Sequence, residues 1–331
     1  MGIADHLTEA DAFEVNSSSD TDGCDNPRFT VFTPTYERRG ILSRPFESLC
    51  QQSHDSFEWI VVDDNSTDGT ADQIEEFAQE ATFPIRFYQQ DPERPGKHRA
   101  FEIAVEAARG AFFFPLDADD QLRPNALETL EQHWSKIPPD SRDRYAGVTG
   151  LCVDQHNELI GDQFPDSPFD SDILANRYQH DISGEKAGFV RTELLRDYRF
   201  PDIEERFVPE SIVWDQIATM YQTRYVNEAI RVYWQDESAD SDQLTALDPS
   251  TIAQGHALFH RKRLDTQLAY FFNDPSEFIR SGIHYGRFSR HDGVGILTQI
   301  KQLEGTGGRL LCLATAAPAV ALYVRDILQH R

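Results

Sequence analysis

The stretch Phe113-Phe-Pro-Leu-Asp117-Ala-Asp119-Asp120 carries the most information about the fold and chemistry of this chain. An apolar run typical of a buried strand stops at three carboxylates within four residues. Like charges this close repel one another unless a cation lies among them. A hard divalent cation with oxygen ligands, often one that also holds phosphates, would satisfy them. The alternative from these residues alone is a solvated turn at a strand end of a very acidic protein.

Outward from this stretch, strand-like and helix-like segments alternate through the first half of the chain. The periodicity of the apolar residues predicts strands at 29–33, 57–62, 85–88 and 111–116, and helices at 39–53, 71–81, 97–109 and 124–136. Such βα alternation indicates an α/β fold with a mostly parallel central sheet covered by helices. The second half is more mixed, with predicted strands at 146–153, 159–160, 187–190, 225–226 and 230–234, and predicted helices at 210–221, 251–272 and 275–287.

Three polar motifs follow the carboxyl ends of the predicted strands. Thr33-Pro-Thr-Tyr36 follows the first strand, Asp63-Asp64 the second, and Asp117 to Asp120 the fourth. Ligands of open α/β sheets gather at this edge of the sheet. We therefore expect one site here, which favours a bound ligand or metal ion over a solvated turn.

The charge balance excludes some partners. The 331 residues include 56 acidic and 31 basic ones, for a net charge of −25, and only five of the basic residues are lysines. A general nucleic-acid binder would show a basic face, and this balance also argues against electrostatic docking to anionic lipid. A surface this acidic suggests a halophilic source, whose salt-rich interior screens the repulsion.

The cysteines and the termini predict a cytoplasmic protein. The alternative is a peripheral protein on the cytoplasmic face of the membrane. Cys24, Cys50, Cys152 and Cys312 show no metal-site or redox spacing, so we expect reduced structural thiols. We see no N-terminal signal peptide.

We expect three regions along the chain. Residues 1–27 are polar and predicted to be disordered, 28–235 form the main domain, and 236–331 comprise an acidic linker and a C-terminal helical region. Within the last region, 310–324 are nearly all apolar around Pro318. This segment is either a buried helix or a helix that lies in a membrane interface.

The motifs, in their order, resemble those of the inverting family 2 glycosyltransferases with a GT-A fold. The resemblance covers about 28–235, and the matching stretches are Thr33-Pro-Thr-Tyr36, Gln51-Gln-Ser53, Phe57-Glu-Trp-Ile-Val-Val-Asp-Asp-Asn-Ser-Thr-Asp-Gly-Thr70, Gly96-Lys97 and Leu116-Asp-Ala-Asp-Asp120. It implies metal-dependent transfer of a sugar from a nucleoside diphosphate, most simply a UDP-sugar, to a hydroxyl acceptor. The acceptor could be a polyprenyl-phosphate-linked glycan or another surface-glycan precursor.

The resemblance also implies roles for individual residues. Thr33, Pro34, Thr35 and Tyr36 would line the base and ribose. Asp64 would accept a hydrogen bond from the base, while Asp63 would support the strand end or the ribose. Lys97 would hold the diphosphate as a point charge. Asp117 and Asp119 would be the Asp-X-Asp carboxylates that reach the ribose and a Mg²⁺ or Mn²⁺ ion bridging the diphosphate.

Inverting transfer needs a carboxylate that takes the proton of the acceptor hydroxyl. The stretch Phe207-Val-Pro-Glu210-Ser-Ile-Val-Trp-Asp215 resembles a branch of the family with Pro-Glu-Gly in place of the common Glu-Asp pair. Glu210 is our first choice for this base, since it lies at a helix start after Pro209. Asp215 is the second choice, and Ser211 stands where the family has its second acid.

Two other functions compete with the transferase. A sugar nucleotidyltransferase would carry a Gly-rich basic loop after the first strand, whereas Thr33-Pro-Thr-Tyr-Glu-Arg-Arg-Gly40 is not rich in glycine. A non-catalytic nucleotide-sugar-binding protein that has lost its base is the other alternative.

Overall fold

The structure is a computed structural model that describes residues 12–15, 26–235 and 248–329. Its strands are β1 Ala12–Val15, β2 Phe29–Thr35, β3 Phe57–Asp63, β4 Ile85–Gln89, β5 Phe112–Pro115, β6 Gln121–Leu122, β7 Tyr145–Val153, β8 Phe169–Ser171, β9 Lys186–Arg191 and β10 Gln222–Val232. Its α-helices are α1 Ser43–Cys50, α2 Thr70–Glu80, α3 Lys97–Ala107, α4 Ala126–Ser135, α5 Ile173–Tyr178, α6 Thr192–Asp197, α7 Ser211–Ala218, α8 Ala253–Thr266, α9 Pro275–His291, α10 Ile296–Gln302, α11 Thr306–Ala314 and α12 Ala316–Gln329.

The described residues divide into two compact units that interleave along the chain. The first unit comprises the described residues up to 172 together with 182–199 and 220–235. The second unit comprises 173–181, 200–219 and 248–329. The segment 200–219, which the sequence analysis grouped with the main domain, therefore belongs to the same unit as the C-terminal helices.

One mixed sheet forms the first unit, in the order β1-β4-β3-β2-β5-β9-β7-β10-β6, with β8 paired to β10. The strands β4, β3, β2 and β5 run parallel, as do β7 and β10, while β9 is antiparallel to β5 and β7. Every residue of β3 is buried, as expected for a central strand covered on both faces. The prediction of a mixed, mostly parallel α/β sheet with a C-terminal helical region is confirmed.

The core of the first unit depends on aromatic side chains projecting from the parallel strands. Phe29, Trp59 and Phe114 are fully buried, and the stacked rings of Phe112 and Phe189 join the parallel part of the sheet to β9, with centroids 4.1 Å apart. A buried aromatic pair is worth about 0.5–1.5 kcal/mol beyond the area that it buries. This packing fixes the strands whose ends carry the polar motifs.

The structure corrects the sequence analysis on two strands. Ala12–Val15, expected to be disordered, form β1 and pair antiparallel with β4, which supplies backbone partners along that edge. The two closing strands predicted at 225–226 and 230–234 are one strand, β10. Its polar Asn227 lies at a register irregularity and exchanges hydrogen bonds with the backbone of Phe164, so the chain keeps its direction there. Residues 1–11 and 16–25 of the expected disordered segment, which include Cys24, and residues 236–247 of the acidic linker lie outside the described residues.

Candidate active site at the carboxyl ends of the parallel strands

The sheet register brings the polar motifs of the first unit to one edge. The last residues of β2 and β3, Thr35 and Asp63, are paired, and the N–H of Asp64 donates to the carbonyl of Thr35 at 2.9 Å. Beyond β5, the N–H of Leu116 donates to the carbonyl of Phe32 at 2.8 Å. The chain therefore enters the acidic stretch beside the end of β2, as the strand-end argument predicts.

Two of the predicted nucleotide residues are parts of the scaffold. Thr33 is fully buried, and its hydroxyl accepts from the indole N–H of Trp59 at 2.9 Å. Asp63 is fully buried and accepts from the N–H of Ser66 at 2.9 Å. Burial raises the pKa of Asp63, against the lowering effect of its hydrogen bonds from Ser66 and Gln89. Asp63 therefore shapes the turn after β3, the first of the two roles expected for it.

The neighbouring residues present more of themselves to a ligand. Tyr36 is 47% exposed, and Pro34 and Asp64 are half-buried. The hydroxyl of Thr35 is buried and has no hydrogen-bond partner among the described residues. A buried hydroxyl is costly to leave without a partner, so the Thr35 hydroxyl is a group that water or a ligand can satisfy.

Lys97 and Asp117 form an ion pair within this edge. Gly96, with φ 131°, opens α3 in a backbone conformation that suits glycine, and the next residue, Lys97, places Nζ 2.7 Å from Oδ1 of Asp117. Arg231 lies 3.8 Å from the other oxygen of Asp117. Burial of Asp117 raises its pKa, but the charges of Lys97 and Arg231 outweigh that effect and hold the pKa below its usual value. Asp117 is therefore ionised at neutral pH.

Asp119 and Asp120 differ in their surroundings. The side chain of Asp119 is 36% exposed, and its Oδ2 lies 3.7 Å from Nη1 of Arg38. Asp120 is 1% exposed, contacts Nε of Arg231 at 3.3 Å, and accepts from the N–H of Trp234 at 3.2 Å. Burial raises the pKa of Asp120 to about 7, although Arg231 acts in the opposite direction. Asp120 thus supports the turn from inside, while Asp119 faces outward.

Arg231 is the main residue of this cluster that the sequence analysis missed. It lies on β10, is 8% exposed, and contacts Asp117, Asp120 and Glu185, the last at 3.2 Å. A buried guanidinium needs carboxylate partners. The signal in the sequence was a single arginine inside the strand-like run Ile230-Arg-Val-Tyr-Trp234, which becomes informative only when the sheet order puts β10 beside β6, the strand that follows Asp120.

The carboxylates of this cluster fit a divalent metal ion as part of its coordination shell. Within the described part of the chain, no group of three or more His, Cys, Asp or Glu side chains is placed to hold a metal ion. Asp117 and Asp119 are each 36% exposed. Mg²⁺ typically uses one or two protein carboxylates and completes its shell with substrate phosphates and water. Two accessible carboxylates, one of them paired with Lys97, match that pattern.

The predicted bases lie in the second unit. Glu210 is half-buried at the start of α7, where its carbonyl accepts from the N–H of Val213 at 3.0 Å. Asp215 is 5% exposed, accepts from both terminal nitrogens of Arg177 at 3.0 and 3.1 Å, and also accepts from Gln267 at 2.9 Å. These contacts join α7, α5 and the segment after α8. They are the contacts of a structural ion pair, and they argue against Asp215 as the proton acceptor.

Comparisons with known proteins agree with this architecture. The model of the family described as glycosyl transferase family 2 matches residues 30–194. The Campylobacter jejuni protein named GalNAc(5)-diNAcBac-PP-undecaprenol β-1,3-glucosyltransferase is 26% identical over 212 residues, covering 62% of this chain and 64% of that protein. The Staphylococcus aureus poly(ribitol-phosphate) β-N-acetylglucosaminyltransferase TarS is 27% identical over 201 residues, covering 58% of this chain and 32% of that protein. The chain thus spans less than two thirds of the length of these curated relatives.

Two solved structures share the fold. Residues 1–349 of S. aureus TarS in complex with UDP-GlcNAc match with a TM-score of 0.58 and 18% identity, covering 90% of this chain and 92% of that one. A mannosyltransferase from Pyrobaculum calidifontis in complex with GDP-Man and Mn²⁺ matches with a TM-score of 0.50 and 17% identity, covering 92% and 88%.

The sheet and its strand-end acidic cluster define a glycosyltransferase domain of the GT-A class. Through residues 30–194, the chain belongs to glycosyl transferase family 2, and the resemblance seen in the sequence is confirmed.

Proposed function

We propose that this protein is a metal-dependent inverting glycosyltransferase that moves a sugar from a UDP-sugar to a hydroxyl acceptor. The observation that carries the proposal is the cluster of Lys97, Asp117, Asp119 and Arg231 at the carboxyl ends of the parallel strands. It combines two accessible carboxylates, which can bind a metal ion, with the ammonium group of Lys97, which can bind phosphate. The matching relatives are named as glycosyltransferases, and the TarS structure with the same fold contains UDP-GlcNAc.

The nucleoside part of the donor would lie along the ends of β2 and β3. Thr35 and Tyr36 would face the ribose and base, with Pro34 as an apolar wall and Asp64 as the acceptor for a base N–H. Thr33 and Asp63 would hold this edge in place from behind. Because Thr33 and Asp63 are buried and hydrogen-bonded, they would hold Thr35 and Tyr36 in the binding geometry before the donor arrives.

The diphosphate would lie over the acidic cluster. Lys97 would exchange its contact with Asp117 for a diphosphate oxygen, and Asp117 and Asp119 would then serve as oxygen ligands. A Mg²⁺ or Mn²⁺ ion bound there would offset the negative charge that the nucleoside diphosphate gains as it leaves. Arg231 would keep Asp117 and Asp120 in position, since it contacts both carboxylates.

We assign the proton-accepting role to Glu210. It lies at the start of α7 after Pro209, where the helix dipole favours a carboxylate. Asp215, the second choice, already uses both oxygens in contacts with Arg177 and Gln267. One base and one metal-held leaving group support a single displacement, which inverts the configuration of the anomeric carbon.

We further propose a glycan acceptor, most simply a polyprenyl-phosphate-linked one, at the cytoplasmic face of a membrane. The C. jejuni relative is named for an undecaprenol-linked glycan. TarS is named for a different acceptor, poly(ribitol-phosphate). One name specifies a lipid-linked glycan and the other a polymer, so the names support a broad class of acceptor and not a particular structure.

The test is a panel of nucleotide sugars, each with Mn²⁺, with Mg²⁺ and with EDTA. We expect one donor to protect the protein from thermal unfolding only when metal is present, and the same donor to release nucleoside diphosphate. Asp119→Asn should lose the metal-dependent part of the protection. Protection without turnover for any acceptor, in wild type and Glu210→Gln alike, would instead identify a nucleotide-sugar-binding protein.

A further inference from the structure

The last helices of the second unit turn their apolar side outward. On α12, the exposed fractions of Val320, Val324 and Leu328 are 39%, 46% and 69%, and their spacing of four residues places them on one stripe. The opposite side of the helix contains the buried residues Ala319 and Asp326. An ordinary surface helix of a globular protein has the reverse arrangement.

An ion pair holds the inner side of α12 together with apolar packing, since Ala319 is fully buried and the ring of Tyr323 contacts His291 of α9 edge-on. The carboxylate of Asp326 is 3% exposed and accepts hydrogen bonds from Arg287 and His291 of α9. Burial raises the pKa of Asp326, but the hydrogen bonds and charges of Arg287 and His291 outweigh it and lower the pKa. One side of α12 therefore contacts the protein, while the hydrophobic stripe of Val320, Val324 and Leu328 stays exposed.

The preceding two helices also expose large apolar side chains, although Ile296, Ile300 and Leu311 pack against a small core around Tyr285. Leu310 and Leu313 of α11 are 63% and 52% exposed, while Cys312 between them is buried. In α10, Leu297 is 74% exposed, whereas Gln299 is fully buried and donates to the carbonyl of Val294 at 2.7 Å. We define the docking face by its large exposed apolar residues, Leu297, Leu310, Leu313, Val320, Val324 and Leu328. So many large apolar side chains on three consecutive helices mark a surface that is covered in use.

The charges around the docking face favour lipid phosphate as its cover. The exposed charged residues of α11 and α12 are Arg309 and Arg325, and neither helix has an exposed Asp or Glu, although the chain carries a net charge of −25. Arg325 lies 3.9 Å from the buried Asp326, but a second copy that docked through the same two helices would add two more arginines and no exposed acid. Phospholipid headgroups offer a phosphate to each arginine, since a guanidinium binds phosphate through paired hydrogen bonds.

The length and apolar character of α11 and α12 suit helices that lie on a membrane surface. No single helix in the described ranges has the length and apolar character of a membrane span, although α11 and α12 together do, with a bend of 57° between them. Because Asp326 ties one side of α12 to α9, the other side remains free to enter the headgroup region. A helix of this kind lies in the plane of the interface.

We propose that α10, α11 and α12 form a surface that docks on a phospholipid bilayer, with the apolar side chains of the docking face inserted among the headgroups. This deepens the proposed function, on which it rests for the choice of the cytoplasmic leaflet. Apolar insertion drives the contact, and Arg309 and Arg325 meet phosphates. High salt screens the repulsion between the acidic remainder of the chain and the lipid, so binding holds or strengthens as KCl rises, whereas a purely electrostatic contact would weaken.

The test is flotation of the full chain with vesicles of phosphatidylglycerol and phosphatidylcholine, in low and in molar KCl, without donor or acceptor. We expect binding that persists in molar KCl. Val320→Ser with Val324→Ser and Leu328→Ser should weaken it about tenfold or more, with an unchanged melting temperature because these side chains are exposed. Phe272→Ser is the matched control, since Phe272 is 92% exposed and lies outside the three helices.

Three outcomes would overturn the proposal. One is the absence of vesicle binding at every KCl concentration. Another is equal binding by the triple variant and the wild type. The third is a stable oligomer by sedimentation velocity that the triple variant dissociates, since a second copy would then cover the docking face. Flotation requires no turnover, so an inactive protein that binds vesicles would refute the transferase and retain the docking surface.

Discussion

Lys97 and Asp117 form the closest ion pair of the acidic cluster, with Nζ and Oδ1 2.7 Å apart. Their side chains are 48% and 36% exposed, and ion pairs this exposed contribute about 0–1 kcal/mol to stability. The pair therefore contributes little to stability, and we interpret it as part of the binding site for the ligand. The lysine neutralises a carboxylate that would otherwise repel the approaching diphosphate, and it can then pair with the diphosphate itself.

The first prediction concerns Lys97→Met. We expect it to weaken binding of the nucleoside diphosphate about 10–100-fold, the effect of losing one charged hydrogen bond, while the melting temperature of the ligand-free protein stays within a degree or two. Titration calorimetry with and without Mn²⁺ measures the affinity. Lys136→Met is the control, because Lys136 is exposed just beyond α4. An unchanged affinity in Lys97→Met would remove Lys97 from the site.

The second prediction concerns Arg231 and its buried partner Asp120. At about pH 9, where Asp120 is ionised beside Arg231 because its pKa is about 7, Arg231→Met leaves this carboxylate without its cation, and breaking a buried pair from one side costs up to about 3–5 kcal/mol. Adding Asp120→Asn should recover part of this loss, because the remaining group is then neutral. Urea unfolding of the wild type, both single variants and the double variant measures the recovery. A double variant no more stable than Arg231→Met would show that the two side chains are not energetically coupled.

The strand-end part of the site was predictable because short-range patterns determine it. The buried runs ending at Asp63 and Leu116 show strand character without any tertiary information, and parallel strands must present their carboxyl ends at one edge. The position of Asp117 and Asp119 followed from that rule. The helix and strand ends were less accurate. For example, the strand predicted to stop at Thr33 continues through Pro34 to Thr35, where it pairs with β3 alone because its pairing with β5 ends at Phe32.

The contacts across long sequence separations were not predictable. Arg231 meets Asp120 only because β10 pairs with both β7 and β6, and the same holds for Arg177 and Asp215, which are 38 residues apart. The segment 310–324, predicted as either a buried or an interfacial helix, has Cys312 and Ala319 buried, while Leu310, Leu313, Val320 and Val324 are exposed. A nearly uniform apolar composition contained no information on which side of these helices faces the protein.

The third prediction separates the two candidate bases. Glu210→Gln should lower turnover by about 10²–10⁴-fold, the range for removal of a general base, and leave donor binding and stability unchanged. Asp215→Asn should instead destabilise the second unit by about 2–3 kcal/mol. This is less than the loss of a fully buried pair, because the side chain of Arg177 is 30% exposed.

Single-turnover kinetics and thermal unfolding, measured on both variants, give the comparison. Glu204→Gln is the control. It removes another carboxylate of the second unit, from the segment before α7. If Glu210→Gln kept its full turnover while Asp215→Asn folded normally and lost it, the assignment would be reversed.

The fourth prediction concerns pH and a histidine cluster in the second unit. His260 stacks against His284, with ring centroids 5.2 Å apart, and His256 stacks against Phe288 at 4.7 Å. Burial lowers the pKa of His256 to about 4, and burial also lowers the pKa values of His260 and His284, aided by neighbouring positive charges.

These three pKa values lie below the ordinary value, so the unfolded chain binds more protons than the folded one between about pH 4 and pH 6.5. The histidine contribution to stability is therefore complete above about pH 6.5 and falls as the pH decreases through that window, while Asp120, whose pKa burial raises to about 7, acts in the opposite direction. His256 alone accounts for about 2–3 kcal/mol. Urea unfolding at steps from pH 8 to pH 5 measures the loss. His256→Phe, which keeps a ring in the stack, should reduce the slope, and an identical slope would exclude His256 as a contributor.

The fifth prediction concerns salt. With a net charge of −25, the folded chain repels itself, and the repulsion is screened beyond about 3 Å at 1 M salt but extends to about 30 Å at 0.01 M. We expect the melting temperature to rise by about 5 °C or more between dilute buffer and molar KCl. Sucrose is the control, because it stabilises by exclusion from the surface without screening charge. Differential scanning calorimetry in both series distinguishes the two effects. Equal melting temperatures in dilute buffer and molar KCl would show that the acidic surface has no need of salt.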